Sequence, residues 1–334
     1  MLKSLKKMGA LLATVALLGV VAGCGGDKKP AAATSDKKTY NVGIVQLVEH
    51  DALDAANKGF VDGLASKGFK EGVNVKFDKQ NAQADQSNLQ TIAQRFVNNK
   101  VNLICAIATP AAQTVANATK DIPIVGTAIT DYEAAKLVKS NAKPGTNVTG
   151  TTDMNPVKEQ IDMIKKIVPQ AKTLGFLYTS SEVNSQLQIE LAKKEAEAQG
   201  MKTVEATVSN VNDIQQAAQS LVGKVDAIYV PTDNILASAM PTLTIVTNGA
   251  KIPVFCGEGG MTRAGGVATL GIDYYKLGFQ TGVMAADILS GKAKAADMAI
   301  QTQKEFQVIV NEAEVKKLGL TIPADILKQA KGAK

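Results

Sequence analysis

The chain has 334 residues, of which 45% are hydrophobic, 20% charged and 4% aromatic, the make-up of a globular protein with a sizeable core. That balance excludes intrinsic disorder and collagen-like repeats. The formal charge is +6, and three of the lysines behind it fall within the first seven residues, so the sequence calls for no nucleic-acid partner.

Those first residues form a secretory pattern. Lys3, Lys6 and Lys7 make a basic start, residues 11–21 an apolar run too short for a comfortable membrane span, and Val21-Ala22-Gly23-Cys24 closes it. The last four residues resemble a bacterial lipobox, which implies cleavage before a diacylated Cys24. The protein would then be exported and lipid-anchored on the outer face of the cytoplasmic membrane, or on the periplasmic side in a cell with two membranes. The alternative is a plain cleaved signal with an incidental Cys. Removing residues 1–23 leaves 311 residues and a formal charge of +3. Residues 24–38, rich in Gly, Ala, Lys and Asp, read as a tether reaching about 20 Å.

From Tyr40 onward short β-rich runs alternate with helical periodicity. Residues 41–48 are a predicted strand, 53–67 a helix with Leu53, Ala56, Phe60 and Leu64 on one face, and 74–78 a second strand. Residues 86–98 follow as a helix with Leu89, Ile92, Ala93 and Phe96 on one face. Residues 102–108 are a nearly all-apolar strand of the kind buried on both faces of a parallel sheet. The grammar then restarts. Gly43 and Gly175 open the halves, and the Gly closing the next helix comes 25 residues later in both, at Gly68 and Gly200. Ile122-Pro123 and Ile252-Pro253 begin a matching later strand in each half. The expectation is an α/β protein of two similar doubly wound parallel-sheet lobes. Residues 271–291 read as one long helix, 306–310 as a strand and 312–318 as a helix, crossing back between lobes to make a multi-strand hinge. Lobe 1 is expected to span residues 39–152 plus about 273–298, and lobe 2 residues 153–272 plus about 299–334.

Chemistry is sparse. His50 is the single histidine, no Gly-x-Ser-x-Gly elbow accompanies it, and Cys105 and Cys256 lie in apolar runs that suit free, buried thiols. One His and two core-like Cys make no zinc cluster, and the glycines of residues 257–266 lack the order of a phosphate loop. No catalytic residue, metal or cofactor is expected. What remains is polar residues at the carboxyl ends of strands, where open parallel sheets bind ligands. Thr109, before Pro110, can leave helix N-terminal amides free for a carboxylate, or can simply cap the helix. Asp233, at the corresponding place in the second half, can bind an ammonium group or act as an N-cap. A clamshell bringing the two together would match the polarity of an amino-acid zwitterion.

Six segments in order carry a resemblance: residues 45–50 (VQLVEH), 108–113 (ATPAAQ), 149–150 (TG), 178–185 (YTSSEVNS), 231–234 (PTDN) and 271–275 (GIDYY). Across roughly residues 40–320 the chain resembles an ABC-transporter substrate-binding lipoprotein family associated with tryptophan, tyrosine or phenylalanine uptake, with a type I periplasmic-binding-protein fold. The resemblance implies a monomeric receptor that captures an α-amino acid between its lobes and delivers it to a permease driven by a separate ATPase. Thr109 with Thr127 would take the α-carboxylate, Asp233 the α-ammonium, and Asn234 would orient it. Tyr178, Glu182, Asn184 and Ser185 would close from the second lobe, with Glu258 and Asp273 nearer the hinge, and Glu49 and His50 complete the set. Asn184 and Ser185 equally suit the start of a helix, and Asp273 a helix cap. The sequence departs from the family at Asp51, commonly Pro, and at Asp131-Tyr132, commonly Asp-Pro. Tyr132 is thereby expected either to stack on a ligand ring or to fill its space. A surface adhesin on the same fold, or a receptor for a non-aromatic amino acid or another small polar solute, are the alternatives.

Overall fold

The computed structural model describes residues 38–332. Cys24 and the tether lie outside the described residues, as does the signal segment. The chain begins with β1 (Tyr40–Gln46), α1 (Asp51–Ser66), β2 (Val75–Asn81), α2 (Gln86–Asn98), β3 (Leu103–Ile107), α3 (Thr109–Ala118), β4 (Ile124–Ile129) and β5 (Val148–Thr152). Every residue of β3 and β4 is buried, as their unbroken apolar character requires, whereas the edge strand β2 is mostly open to solvent. Helix α2 buries Leu89, Ile92, Ala93 and Phe96, the face read from the sequence, and the Phe96 ring lies over Gly43, where a Cβ would collide with it.

The chain then crosses at residues 153–156 into α4 (Val157–Ile167), β6 (Thr173–Thr179), α5 (Val183–Ala198), β7 (Lys202–Val208), α6 (Ile214–Leu221) and β8 (Ala227–Val230). After these come α7 (Asn234–Ser238), α8 (Met240–Gly249), β9 (Val254–Cys256), α9 (Gly259–Arg263) and β10 (Ala268–Gly271). It returns with α10 (Tyr274–Leu289) and β11 (Gln301–Thr302), and crosses again to β12 (Gln307–Val310), α11 (Glu312–Leu318), α12 (Ala324–Gln329) and β13 (Ala330–Gly332).

Two parallel sheets result, in the order β11-β5-β4-β3-β1-β2 and β7-β6-β8-β9. Counted within each lobe, both share the order second-first-third-fourth, so each has a point where successive crossovers leave on opposite sides. A small sheet, β10-β12-β13, pairs β10 and β12 antiparallel. Lobe 1 has one core built on its sheet, α1, α2, α3 and α10. In lobe 2, Phe176 and Tyr229 face one core and Leu177 and Ile228 another, on opposite faces of the sheet. Strand β11 pairs with β5 through Gln301 and Thr151, so lobe 1 extends to Thr302 where the sequence placed lobe 2 from about residue 299. Gln-Thr carries no apolar signal, and backbone pairing alone sets that boundary.

Helix α10 lies along α1 at a distance only glycine permits. A methyl group on Gly59 would overlap the Tyr275 carbonyl, one on Gly63 the Phe279 carbonyl, and one on Gly278 the Ala56 carbonyl. Three connections, at residues 153–156, 272–273 and 303–306, thus join the lobes among the described residues.

Candidate functional site

The carboxyl ends of the two sheets face each other and enclose a small cavity of about 10 Å³. From lobe 1 it is lined by His50, Ala52 and Leu53 after β1, by Ala128 and Thr130 at the end of β4, by Asp153 on the first lobe connection and by Tyr274 at the start of α10. Lobe 2 contributes Asn184 after β6, Thr232, Asp233 and Asn234 after β8, and Glu258 after β9. These are the strand ends around the crossover reversal of each sheet, where an open α/β sheet presents unpaired backbone and loop side chains. Ala128 holds a φ of 56° and Ala108, just before α3, a φ of 86°, left-handed values that cost a residue with a Cβ about 1–3 kcal/mol and collect at functional sites.

The lobe 2 wall is densely bonded. Asp233 Oδ2 accepts from the Thr179 amide at 2.6 Å and the Ser185 hydroxyl at 2.8 Å, while Oδ1 accepts from the Thr179 hydroxyl at 2.8 Å and the Leu236 amide at 3.0 Å. Glu258 caps α9 by accepting from the Gly260 and Met261 amides. Glu182 Oε2 accepts from the side-chain amides of Asn184 at 2.9 Å and Asn234 at 2.6 Å. Burial, and then the neighbouring Asp233 charge, push the Glu182 carboxyl up to about 8. Burial likewise raises Asp233 and Glu258 above the usual carboxylate range.

The lobe 1 wall is sparsely bonded. His50 is the N-cap of α1 without a capping side-chain bond, and its Nδ1 has no partner. Burial pushes the His50 imidazole down to about 4, which keeps it neutral at pH 7. Asp153 Oδ2 accepts from the Tyr274 hydroxyl at 2.8 Å, whereas Oδ1 has no hydrogen-bond partner, and burial raises its carboxyl above the usual range. Across the gap, His50 Nε2 lies 3.5 Å from Asn234 Oδ1, Gln188 Nε2 donates to Thr130 Oγ1 at 3.4 Å, and Arg263 approaches Asp51 at 3.6 Å on the rim. Three carboxylates line the cavity and no Lys or Arg does, so its complement is a cationic group. An open groove of about 1710 Å³ runs over α2, α3 and residues 293–296; of the buried charged groups only Glu182 reaches it.

The sequence-derived candidates divide accordingly. His50, Asn184, Asp233, Asn234 and Glu258 line the cavity. Ser185 sits behind it on Asp233, and Asn184 and Ser185 do both things expected of them, opening α5 while facing the site. Thr109 is buried between the β1 and β4 ends with an unpartnered hydroxyl, and Thr127 accepts from the Thr151 hydroxyl at 3.3 Å, but neither lines the cavity. Tyr178 turns away: its hydroxyl donates to Glu205 at 3.0 Å on the outer face of lobe 2. Asp273 is a helix cap, accepting from the Lys276 amide, and Glu49 is exposed. Tyr132 stacks on no ligand. It is fully buried in lobe 1, donates to the Thr151 carbonyl at 3.0 Å and occupies space left by Gly126 and Gly150, where a Cβ would strike its ring or hydroxyl. Cys105 and Cys256 are buried free thiols.

Residues 41–334 match the model of the family described as ABC transporter substrate binding protein. A tyrosine-binding protein of Clostridioides difficile (strain R20291) is 43% identical over 99% of this chain and 97% of its own length. The chain belongs to the ABC transporter substrate-binding proteins. A member solved from Streptococcus pneumonia in complex with L-Trp has a TM-score of 0.86 at 41% identity, covering 88% of this chain and 99% of that one. The fold is that of the type I periplasmic-binding proteins, which act outside the cytoplasm. A ligand-free, open substrate-binding protein with adhesive properties from Clostridium difficile is 46% identical over 88% of this chain and 99% of that one, yet its TM-score is 0.67. A lower structural match at higher identity is what a difference in lobe opening produces, and this substrate-binding protein has its lobes closed, with the interlobe contacts above in place.

Among the polar residues of the cavity, Asp153, Tyr274 and Thr130 are not among the sequence-derived candidates, nor is Gln188, which bonds Thr130. Asp153 carried a usable signal, because it follows a Thr-rich strand and puts a charge at its carboxyl end, the same rule that found Asp233. Among the described residues, no group of three or more His, Cys, Asp or Glu is arranged to hold a metal ion.

Proposed function

We propose that this protein is a lipid-anchored receptor, held by Cys24, that captures an aromatic α-amino acid (tyrosine, tryptophan or phenylalanine) between its lobes and delivers it to a membrane permease driven by a separate ATPase. The observation that carries this reading is the interlobe cavity itself. It is walled by both lobes at their matching strand ends, rich in buried carboxylates, and free of any protein cation. The two relatives described with tyrosine and L-Trp supply the side-chain class. A cavity of about 10 Å³ holds at most one water, so an amino acid enters only when the lobes part, and the lobes then close around it with a wider gap than they leave here. Closure then follows from differential affinity: groups of lobe 1 and lobe 2 touch the ligand together only in the closed state. For the α-carboxylate, the first turn of α1, whose Ala52 and Leu53 line the cavity, offers backbone N–H donors. The receptor acts as a monomer and performs no chemistry on what it binds.

The test is a thermal-shift panel of the twenty amino acids, short peptides, sugars and nucleosides on the chain from residue 25 onward, stripped of co-purified ligand. A ligand at a hundred times its dissociation constant stabilises the native state by about 2.7 kcal/mol. Shifts confined to Phe, Tyr and Trp support the reading; a shift with another class discards the ligand and keeps the fold. The adhesive properties described for the C. difficile relative favour a second role in surface attachment. A deletion strain that loses attachment but keeps amino-acid uptake would select it.

A further inference from the structure

We propose that Asp153, rather than Asp233, receives the α-ammonium group of the ligand. This assignment rests on the amino-acid reading above and specifies its cationic subsite.

The carboxylates around the cavity differ in the acceptor capacity they have left. An ionised carboxylate offers about four lone-pair directions. Asp233 has four donors already, all from lobe 2, and one of them is the amide of the helix that Asp233 caps. Glu258 is engaged by the two amides at the start of α9. Glu182 has a free Oε1, but it is not part of the cavity lining and is screened from it by the Asn184 and Asn234 amides that it holds. Asp153 alone combines the three requirements. It lines the cavity, it is buried at 4% exposure, and its Oδ1 has no partner while the Tyr274 hydroxyl fixes the carboxyl through Oδ2. No Lys or Arg lines the cavity to balance its charge, and a buried carboxylate without a counter-charge is costly until a cation arrives.

The position adds a function to the contact. Asp153 is the first residue after β5, on the connection leading into lobe 2, and Tyr274 opens α10, just after the connection leading back. An ammonium group on Oδ1 is thereby bonded to one lobe connection through a carboxyl whose other oxygen is tied to the first residue of α10. A ligand lacking the amine occupies the cleft without engaging that carboxyl.

Asp153→Asn and Asp233→Asn variants, each on the chain from residue 25 onward, test the assignment against L-tryptophan and its deaminated analogue, indole-3-propionate. The protein contains no Trp, so the indole fluorescence of either compound reports occupancy directly. Wild type is expected to prefer L-tryptophan strongly. In Asp153→Asn the affinity for L-tryptophan falls about 100-fold while that for indole-3-propionate stays within about threefold, so the preference collapses. Asp233→Asn is expected to lower the Tm and keep the preference. Tyr274→Phe retains the carboxylate and loses only its anchor, so it serves if Asp153→Asn fails to fold; L-tryptophan binding should weaken about 3- to 10-fold with the analogue unaffected. Retention of the wild-type preference in Asp153→Asn, or equal weakening of both compounds in Tyr274→Phe, would overturn the assignment. A wild-type protein that binds no aromatic amino acid would instead remove the reading on which it rests.

Discussion

Asp153 and Asp233 are both buried aspartates on the wall of one cavity, and their surroundings assign them opposite work. Asp233 stitches β6, α5 and α7 together with four hydrogen bonds from its own lobe, whereas Asp153 spends one oxygen on Tyr274 and leaves the other unpaired. A charge facing a cleft is therefore no measure of ligand binding. What counts is the acceptor capacity left after the fold has taken its share. The walls as wholes differ less sharply: lobe 2 is the more densely bonded but still leaves Glu182 Oε1 and Asn184 Oδ1 without partners, and lobe 1 offers the free His50 Nδ1, Thr109 hydroxyl and Asp153 oxygen.

The largest effect is expected at Asp233. Asp233→Ala strands two buried amides and two hydroxyls, and should cost about 3–5 kcal/mol, seen as a Tm lowered by roughly 10 °C in calorimetry. A Tm within 2 °C or so of wild type would show that these bonds hold little of the fold. In lobe 1, where the wall is left loose, stability must come from elsewhere, and the α1–α10 seam supplies it. Gly278→Val, driven against the Ala56 carbonyl, should destabilise by about 2–3 kcal/mol in denaturant melts without altering ligand preference.

pH gives a third probe. Glu182 binds a proton on folding between its ordinary value of 4.5 and about 8, so stability falls as pH rises through that window, and Asp153, Asp233 and Glu258, also raised, add to the fall at its lower end. His50 acts the other way between about 4 and 6.5, because the unfolded imidazole holds a proton that the buried one has lost. The two effects oppose each other below pH 6.5, which leaves a net decline in Tm from pH 6.5 to above 8. Glu182→Gln should flatten that decline; an unchanged slope would assign it to another group. The smallest effect belongs to the rim. Arg263→Ala removes a partly exposed pair with Asp51, worth at most about 1 kcal/mol, and any loss of affinity should disappear in 1 M salt.

Much of the fold was readable because apolar periodicity and the paired glycines at residues 43, 68, 175 and 200 repeat a physical requirement, a buried parallel strand followed by a helix that must stop. The strand-end rule found Asp233 as a cavity residue, and the family resemblance added His50, Asn184, Asn234 and Glu258. Neither could apportion their hydrogen bonds, because the donors to Asp233 come from residues about 50 positions away in sequence, at Thr179 and Ser185. Tyr178 misled for a related reason. Residues alternate in direction along a strand, and in β6 the phenol emerges beside Glu205 of β7 rather than over the cleft. Tyr132 looked like a cleft aromatic only because the glycines that receive it, Gly126 and Gly150, lie on two other segments.

The seam between α1 and α10 also dictates an order of assembly. Its two helices are more than 200 residues apart, so as the chain is synthesised the glycine face of α1 stays bare until almost the entire polypeptide is available. Residues 38–152 alone would lack α10 and the β11 edge, and should remain expanded and exposed to proteases rather than form a half-receptor. The closing of that contact makes lobe 1 a late product of folding, with high contact order and a correspondingly slow final step. For a protein of an extracytoplasmic family, late consolidation leaves the emerging chain free of a tight knot of structure until its last quarter has been made.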